Sequence, residues 1–127
     1  MITGIDHIHY VSNNMEEMVK YFTDIFGAKE ISRGEARGYP LIRMDVFGVT
    51  ISFLGTDPGA GQLEPGKGLR GLDHIGFKVK NLDATLEELK KKGVKILLGP
   101  NVTPAGIKFA FIGGPEGIRV ELLEKDQ

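Results

Sequence analysis

Hydrophobic and polar residues follow two periodicities along this chain, which together predict helices and strands in a duplicated order. Apolar side chains recur at helical spacing at Met15, Met18, Val19, Phe22 and Phe26, with Asn13 or Asn14 as the cap of this helix and Gly27 as its end. Leucines repeat that spacing over 82–89, and Asn81 suits the start of this second helix. Alternation of period two, together with turn residues between the runs, predicts strands over 5–11, 28–33, 41–47, 47–55, 72–79, 94–98, 107–113 and 118–124. The chain therefore reads as a βαβββ unit that occurs twice.

The two units begin with closely similar segments. GIDHIHYVSNN (4–14) and GLDHIGFKVKN (71–81) share five identities in eleven positions. The offset of 67 residues is too long for a solenoid repeat, so we infer a duplicated module. We place the modules at about 1–55 and 71–127, with the glycine-rich segment 55–71 as a linker.

The composition is that of an ordinary globular protein and excludes several classes of partner. Lys plus Arg is 16 and Asp plus Glu is 17, so no basic excess indicates nucleic acid. The absence of cysteine excludes disulfides and thiolate zinc sites. No apolar run is long enough for a membrane span, and MITGIDHIHY lacks the pattern of a signal peptide. We expect a cytoplasmic protein with no membrane partner.

Strand alternation predicts one apolar and one polar face on each sheet. His7 and His9 share a face, and Ile8 and Tyr10 share the other. On the remaining strands the same alternation assigns these residues to the polar face: Arg43, Asp45, Thr50, Ser52, His74, Lys78, Arg119 and Glu121. A polar face is often only the solvated side of an antiparallel sheet. That interpretation does not predict a histidine at the same place in both module openings.

A second internal alignment links the last strands of the modules. FGVTISFLG and PEGIRVELLE align at an offset of 69, which pairs Ser52 with Glu121. If a pseudo-twofold axis relates the modules, the inward positions hold His7 and Ser52 in one and His74 and Glu121 in the other. Two imidazoles and a carboxylate are a donor set for a borderline divalent metal with open positions. We therefore predict a metal site, the alternative being two structural histidines and a surface glutamate.

Three segments resemble the vicinal oxygen chelate superfamily: IDHIHYVSNNMEEMVKYFTDIFG, GLDHIGFKV and AFIGGPEGIRVELLE. This group includes glyoxalase I, methylmalonyl-CoA epimerase, extradiol dioxygenases, fosfomycin-resistance enzymes and bleomycin-binding proteins. The resemblance covers essentially the full length and implies a single glyoxalase-like domain over 1–127. The implied fold is α+β, with tandem βαβββ modules forming a curled open-barrel mixed sheet and helices on the outer face, commonly as a homodimer. The family's metal ligands fall on His7, His74 and Glu121.

The resemblance implies a metal-dependent lyase or isomerase that acts on a small oxygen-bearing substrate through Lewis-acid activation. One divalent ion per chain is expected, with Zn, Ni, Co, Mn and Fe(II) all open. Glyoxalase I and the epimerase carry Glu or Gln where this chain has Ser52, so we expect that fourth-ligand position to be vacant. Two alternatives stay open: an extradiol-type dioxygenase using two His and one Glu, and a non-catalytic small-molecule or drug-binding protein of the bleomycin-resistance type.

Further residues on the polar face are candidates for catalysis or substrate binding. His9 lies about 6.6 Å from His7 by strand rise, which makes it a candidate general acid or base. Glu121 and Asp45 are further catalytic candidates. Four cations either receive an anionic substrate or are solvated rim residues: Arg43, Lys78, Lys108 and Arg119.

Overall fold

The computed structural model describes residues 1, 3–63, 66–68 and 72–125, and the chain divides into two compact units. Unit 1 is Met1–Gln62 and unit 2 is Leu63–Gln127. Unit 1 contains β1 (His7–Ser12), α1 (Met15–Phe26), β2 (Lys29–Ala36), β3 (Tyr39–Val46) and β4 (Val49–Gly55). Unit 2 contains β5 (Ile75–Val79), α2 (Leu82–Lys91), β6 (Ile96–Val102), β7 (Lys108–Gly113), a single 3-10 turn (Pro115–Gly117) and β8 (Arg119–Glu124).

Each unit forms one four-stranded mixed sheet. The strand order is β1-β4-β3-β2 in unit 1 and β5-β8-β7-β6 in unit 2. The first and last strands of each unit, β1 with β4 and β5 with β8, pair in parallel, and the other neighbours are antiparallel. This order confirms the predicted α+β class with tandem βαβββ units.

Each helix begins at a predicted asparagine cap and buries one apolar stripe. The side chain of Asn14 accepts a hydrogen bond from the N–H of Glu17 at 3.1 Å, and that of Asn81 accepts one from Ala84 at 3.0 Å. These bonds satisfy backbone donors that the first helical turn leaves unpaired. In unit 2 the three leucines of the predicted stripe are buried: Leu82, Leu86 and Leu89.

Strand boundaries differ most from prediction at the β2–β3 hairpin. The segment 31–40 suggests a broad turn because of its glycines and proline, yet β2 continues to Ala36 and β3 starts at Tyr39. Only Arg37 and Gly38 form the turn, with φ of 53° and 82°. The cross-strand ladder overrides the local turn signals, since Gly34 lies in an edge strand and proline is tolerated near a strand start.

Two further boundaries shift in unit 2. Strand β6 extends to Val102, into residues predicted as a loop, because it pairs with β7 up to Lys108. Strand β5 begins at Ile75, so His74 directly precedes it. That both units form one domain over 1–127 stays a prediction, and residues 64, 65 and 69–71 of the linker lie outside the described residues. Over the described ranges, neither helix has the length and apolar character required to cross a bilayer.

The core of unit 1 yields a stability prediction. Phe22 of α1 and Phe53 of β4 are both fully buried, with ring centroids 5.4 Å apart. Phe53→Ala should lower the free energy of unfolding by about 3–5 kcal/mol, since it removes apolar contacts and leaves a cavity. Chemical denaturation measures this. Phe47→Ala is the control: Phe47 is 73% exposed, and its loss should cost less than about 1 kcal/mol. Equal losses in the two variants would contradict this packing.

Candidate functional site

Two rows of polar residues cross three strands of unit 1: His7–Thr50–Asp45 and His9–Ser52–Arg43. Cross-strand partners project from the same face of a sheet, so all six lie on one face, which we call the polar face of unit 1. The opposite face packs on α1 and carries buried side chains such as Met44 and Ile51. The predicted alternation is therefore present in this sheet.

His7 makes a hydrogen bond that fixes its tautomer. Its Nδ1 lies 2.8 Å from Oδ2 of Asp6, the residue directly before it. An ionised carboxylate only accepts, so Nδ1 carries the proton and the neutral ring holds its lone pair on Nε2. Metal-binding histidines are typically oriented by such a bond from the second ring nitrogen.

His74 makes the same bond in unit 2. Its Nδ1 lies 2.8 Å from Oδ2 of Asp73. Two more donors reach this carboxylate: Nη1 of Arg119 at 2.7 Å from Oδ2, and the N–H of Gly66 at 2.7 Å from Oδ1. The hydrogen bonds from His74 and Gly66, together with the charge of Arg119, hold the pKa of Asp73 below its ordinary value. Asp73 is therefore ionised, so whenever the ring of His74 is neutral its lone pair lies on Nε2.

Glu121 lies beside that free nitrogen. Its Oε1 is 3.4 Å from Nε2 of His74. The register partner of Glu121 is Gly76, which leaves room for the carboxylate to lean along the sheet toward His74. Two donors bound tetrahedrally to one zinc ion at its usual bond lengths stand about 3.3 Å apart. The spacing of this pair thus fits two ligands of a single divalent ion.

His9 has a partner of a different kind. Its Nδ1 lies 2.8 Å from Oγ of Ser52, which is 2% exposed. The Ser52 hydroxyl can donate a long hydrogen bond of 3.5 Å to the carbonyl oxygen of Ile8 or turn its proton toward His9. A hydroxyl both donates and accepts, so this partner leaves both tautomers of His9 open. Burial, followed by the charge of Arg37, lowers the pKa of His9 and favours the neutral ring.

The candidate cations and Asp45 have distinct environments. Arg43 and Asp45 occupy the polar face of unit 1, each two strands from the histidine in its row. Lys78 pairs with Leu123 and shares the face of Glu121. Arg119 is bound to Asp73.

Lys108 lies elsewhere. It shares the buried face of β7 with Ala110 and Ile112, and its Nζ binds Asp83 of α2. The structure therefore does not bring Lys108 to the face of Glu121.

The ligands predicted from the sequence are divided between the units. His7 belongs to unit 1, whereas His74 and Glu121 belong to unit 2. Within either unit, the described residues include no group of three or more His, Asp or Glu able to hold a metal ion. The three-ligand site stays a prediction. Two of its members, His74 and Glu121, are adjacent within unit 2.

Two aspartates were missed as site residues. Asp6 and Asp73 each orient the histidine that follows them. The signal was present, because Asp-His occurs at the same place in both module openings. The sequence alone does not reveal the side-chain rotamer on which this contact depends.

Comparison with known proteins places this geometry in a family. The sequence pattern of the Glyoxalase/Bleomycin resistance protein/Dioxygenase superfamily matches residues 4–122. A probable chloroplastic lactoylglutathione lyase from Arabidopsis thaliana is 28% identical over 133 residues, which cover 94% of this chain but only 35% of that protein. An uncharacterized protein of Bacillus subtilis, YwkD, is 24% identical, with 98% of this chain and 99% of that protein covered.

Solved structures share the fold. One is a mutant of the fosfomycin resistance protein FosX from Listeria monocytogenes in complex with Mn(II) and 1S,2S-dihydroxypropylphosphonic acid. Its TM-score is 0.76 at 20% identity, covering 99% of this chain and 95% of that one. The family match extends over nearly the whole chain and includes both βαβββ units, so the protein belongs to the glyoxalase/bleomycin resistance protein/dioxygenase superfamily.

Proposed function

We propose that this protein is a metal-dependent vicinal oxygen chelate enzyme, a glyoxalase-like lyase or isomerase acting on a small oxygen-bearing substrate. The observation that carries this proposal is the chemical difference among its three histidines. His7 and His74 each donate Nδ1–H to a carboxylate, whereas His9 contacts a hydroxyl. The carboxylates fix the tautomer that a ligand needs. The hydroxyl leaves His9 free to gain or lose a proton, as an acid or base must.

The proposed ligands are His7, His74 and Glu121, which would hold one divalent ion per chain. Imidazole and carboxylate donors suit Zn, Ni, Co, Mn or Fe(II), and the 3.4 Å between His74 Nε2 and Glu121 Oε1 supports a shared ion. The Mn(II) complex of the FosX structure adds support from within the family. Such an ion supplies Lewis-acid polarisation of a substrate oxygen.

The remaining chemistry falls to side chains of the polar face. His9 would take a proton from the substrate and return it, with Glu121 and Asp45 as further carboxylate candidates. Arg43 would receive an anionic group, because its guanidinium has no hydrogen-bond or ion-pair partner among the described residues. Lys78 is a second candidate for this role on the face of Glu121.

Two other functions each have an observation in their favour. Two His and one carboxylate also form the facial triad of non-haem Fe(II) oxygenases, which favours an extradiol-type dioxygenase. A non-catalytic binding protein is favoured by apolar residues on the Glu121 face of unit 2: Leu98, Phe109, Phe111 and Leu123.

The assembly is also proposed rather than observed. The family match from residue 4 to 122 includes both units, which supports one glyoxalase-like domain. Each sheet has two outer strands, and unpaired strand edges favour pairing with a further chain. We therefore propose that the protein forms a homodimer. Its cytoplasmic location stays a prediction.

Metal content tests the ligand assignment. Protein purified without chelator should carry about one divalent ion per chain, and His7→Ala and His74→Ala should each abolish binding, since each removes one of three ligands. Elemental analysis measures the content. His9→Ala is the matched control and should keep the ion. Near-stoichiometric metal in His74→Ala would show that the assignment is wrong.

The contrast between Ser52 and Glu121 yields a second prediction. The cross-strand pair of His9 and Ser52 in unit 1 corresponds to the cross-strand pair of Gly76 and Glu121 in unit 2. The double variant His9→Gly with Ser52→Glu copies the unit 2 pair into unit 1. It should tighten metal binding about tenfold or more, because a fourth charged ligand joins the set.

Competition with a chromogenic chelator measures this affinity, with His9→Gly alone as the control. Ser52→Ala should bind metal as tightly as the wild type. If the double variant binds no more tightly than its control, Ser52 does not face the ion.

Turnover separates the candidate reactions. Once substrate screening of the metal-loaded protein finds a reaction, His9→Ala should lower kcat about 10²- to 10⁴-fold, because a positioned general acid or base is lost. The metal dissociation constant should not change. A lyase or isomerase works without oxygen, so activity that requires O₂ would favour the dioxygenase instead. Tight ligand binding without turnover would favour the binding protein.

A further inference from the structure

Asp73 is the centre of a hydrogen-bonded cluster that extends beyond the proposed ligands. Its carboxylate accepts from Nδ1 of His74 at 2.8 Å, from Nη1 of Arg119 at 2.7 Å and from the N–H of Gly66 at 2.7 Å. We call Asp73, Arg119 and the backbone of Gly66 the Asp73 clamp. Besides the adjacent His74, its donors come from β8 and from the glycine-rich segment that precedes β5, so three separate parts of the chain meet at one carboxylate.

The corresponding aspartate of unit 1 has no such clamp. Asp6 is 97% exposed at its side chain, and His7 is its only hydrogen-bond partner in the described part of the chain. A solvent-exposed carboxylate with one contact keeps its rotamer freedom, whereas three donors arriving from different directions fix the Asp73 carboxylate. His74 is therefore held more firmly than His7.

Phe111 contacts both Arg119 and His74 of the cluster. The Cζ of Arg119 lies 4.3 Å from the centroid of the Phe111 ring, within cation–π range. The ring of His74 stands edge-on to Phe111 at 4.9 Å and an interplanar angle of 88°. Because Phe111 is only 8% exposed, it is a fixed surface against which Arg119 and His74 are both placed.

Gly66 lies so close to Arg119 that a side chain there would crowd the guanidinium. A Cβ at position 66 would lie 3.1 Å from Nη1 and 3.2 Å from Cζ of Arg119, at a φ of +82°. Arg119 has little freedom to yield, since Asp73 and Phe111 hold its guanidinium. The lack of a side chain at Gly66 thus permits the contact between this segment and the Asp73 carboxylate.

We infer that Arg119 and the backbone N–H of Gly66 are positioning groups for the metal ligand His74, acting through Asp73. The inference rests on the proposed function, because it assigns the clamp to a histidine that we place on the metal. It gives Arg119 a role other than contact with the substrate. It also couples the glycine-rich segment to metal affinity, although Gly66 itself touches no ligand atom.

Zinc affinity of matched glycine variants provides the first test. Gly66→Ala should displace Arg119 and weaken Zn²⁺ binding about tenfold, the lower end of the 10- to 100-fold effect of outer-shell groups. Gly68→Ala is the control, because Gly68 has a similar φ of +75° but a Cβ added there would meet nothing within 4 Å. Its affinity should stay within about twofold of wild type, since it carries the same strain without the contact.

Arg119 variants separate positioning from bulk stability. Arg119→Gln should weaken Zn²⁺ binding at least as much as Gly66→Ala, and Arg119→Lys should recover part of the loss because it keeps a cation near Asp73. Asp73→Asn should lose more affinity than Asp6→Asn, which tests the asymmetry between the units. Thermal unfolding of the metal-free variants shows whether each remains folded.

Nitrogen-15 spectra of the histidine rings give a readout that needs no metal. The chain has three histidines, so each ring can be assigned by substitution. At pH 8, where an ordinary imidazole is neutral, wild-type His74 should show the Nδ1–H tautomer. Arg119→Gln and Gly66→Ala should mix its tautomers while the signals of His7 stay unchanged, and Gly68→Ala should change neither.

The outcomes distinguish this inference from the proposed function. If Gly66→Ala and Arg119→Gln leave both Zn²⁺ affinity and the His74 tautomer unchanged, the clamp does not position His74 and the inference is overturned. If wild-type protein binds no Zn²⁺ while these variants still mix the tautomers of His74, the metal site is wrong and the clamp orients His74 for another purpose. Equal losses in Gly66→Ala and Gly68→Ala would assign the effect to backbone strain and would also overturn the inference.

Discussion

Strand alternation, combined with a single helix per sheet, is the constraint on which the candidate site depends. In unit 1, α1 buries Met18 and Phe22 against the apolar face of the sheet, and the other face is left for polar side chains. A slip of one residue in β1 would turn His7 and His9 toward the helix and turn Ile8 and Tyr10 away from it. Burying two imidazoles among apolar side chains without partners is costly. The packing that stabilises the sheet therefore also determines which face can carry chemistry.

The two units carry this surface in duplicate, and differences at two paired positions give the copies different chemistry. At corresponding places on the two sheets, Gly76 pairs with Glu121 in unit 2 and His9 pairs with Ser52 in unit 1. Gly76 presents no side chain beside Glu121, whose Oε1 lies 3.4 Å from Nε2 of His74. In unit 1 the imidazole of His9 fills the corresponding space and engages the shorter Ser52 hydroxyl at 2.8 Å. A pair suited to binding a cation and a pair suited to moving a proton thus occupy equivalent positions on related backbones.

The sequence predicted features that follow from periodicity and missed those that depend on rotamers. Apolar spacing placed α1 over the residues it occupies, because the apolar stripe, the asparagine cap and the terminal glycine all indicate the same helix. It misplaced the β2–β3 turn, since ladder pairing overrides a glycine such as Gly34. Alternation and internal repeat placed His74 and Glu121 on one face, although their role as ligands stays a prediction. For Arg119 the sequence left both substrate binding and a solvated rim position open, because its contact with Phe111 depends on the pairing of β8 with β7, which local patterns do not define.

The hydrogen bonds to Asp73 leave Glu121 as the more open carboxylate beside His74. Both oxygens of Asp73 already accept: Oδ1 from Gly66, and Oδ2 from His74 and Arg119. A metal ion on Oδ2 would have to displace the charged guanidinium or the imidazole, and the energy of these charge-assisted bonds opposes the exchange. Glu121 has His74 as its one ion-pair partner within the described residues, so its oxygens stay open. The donors around Asp73 therefore orient the imidazole of His74 and, under the proposed function, would also keep the adjacent carboxylate from competing for the ion.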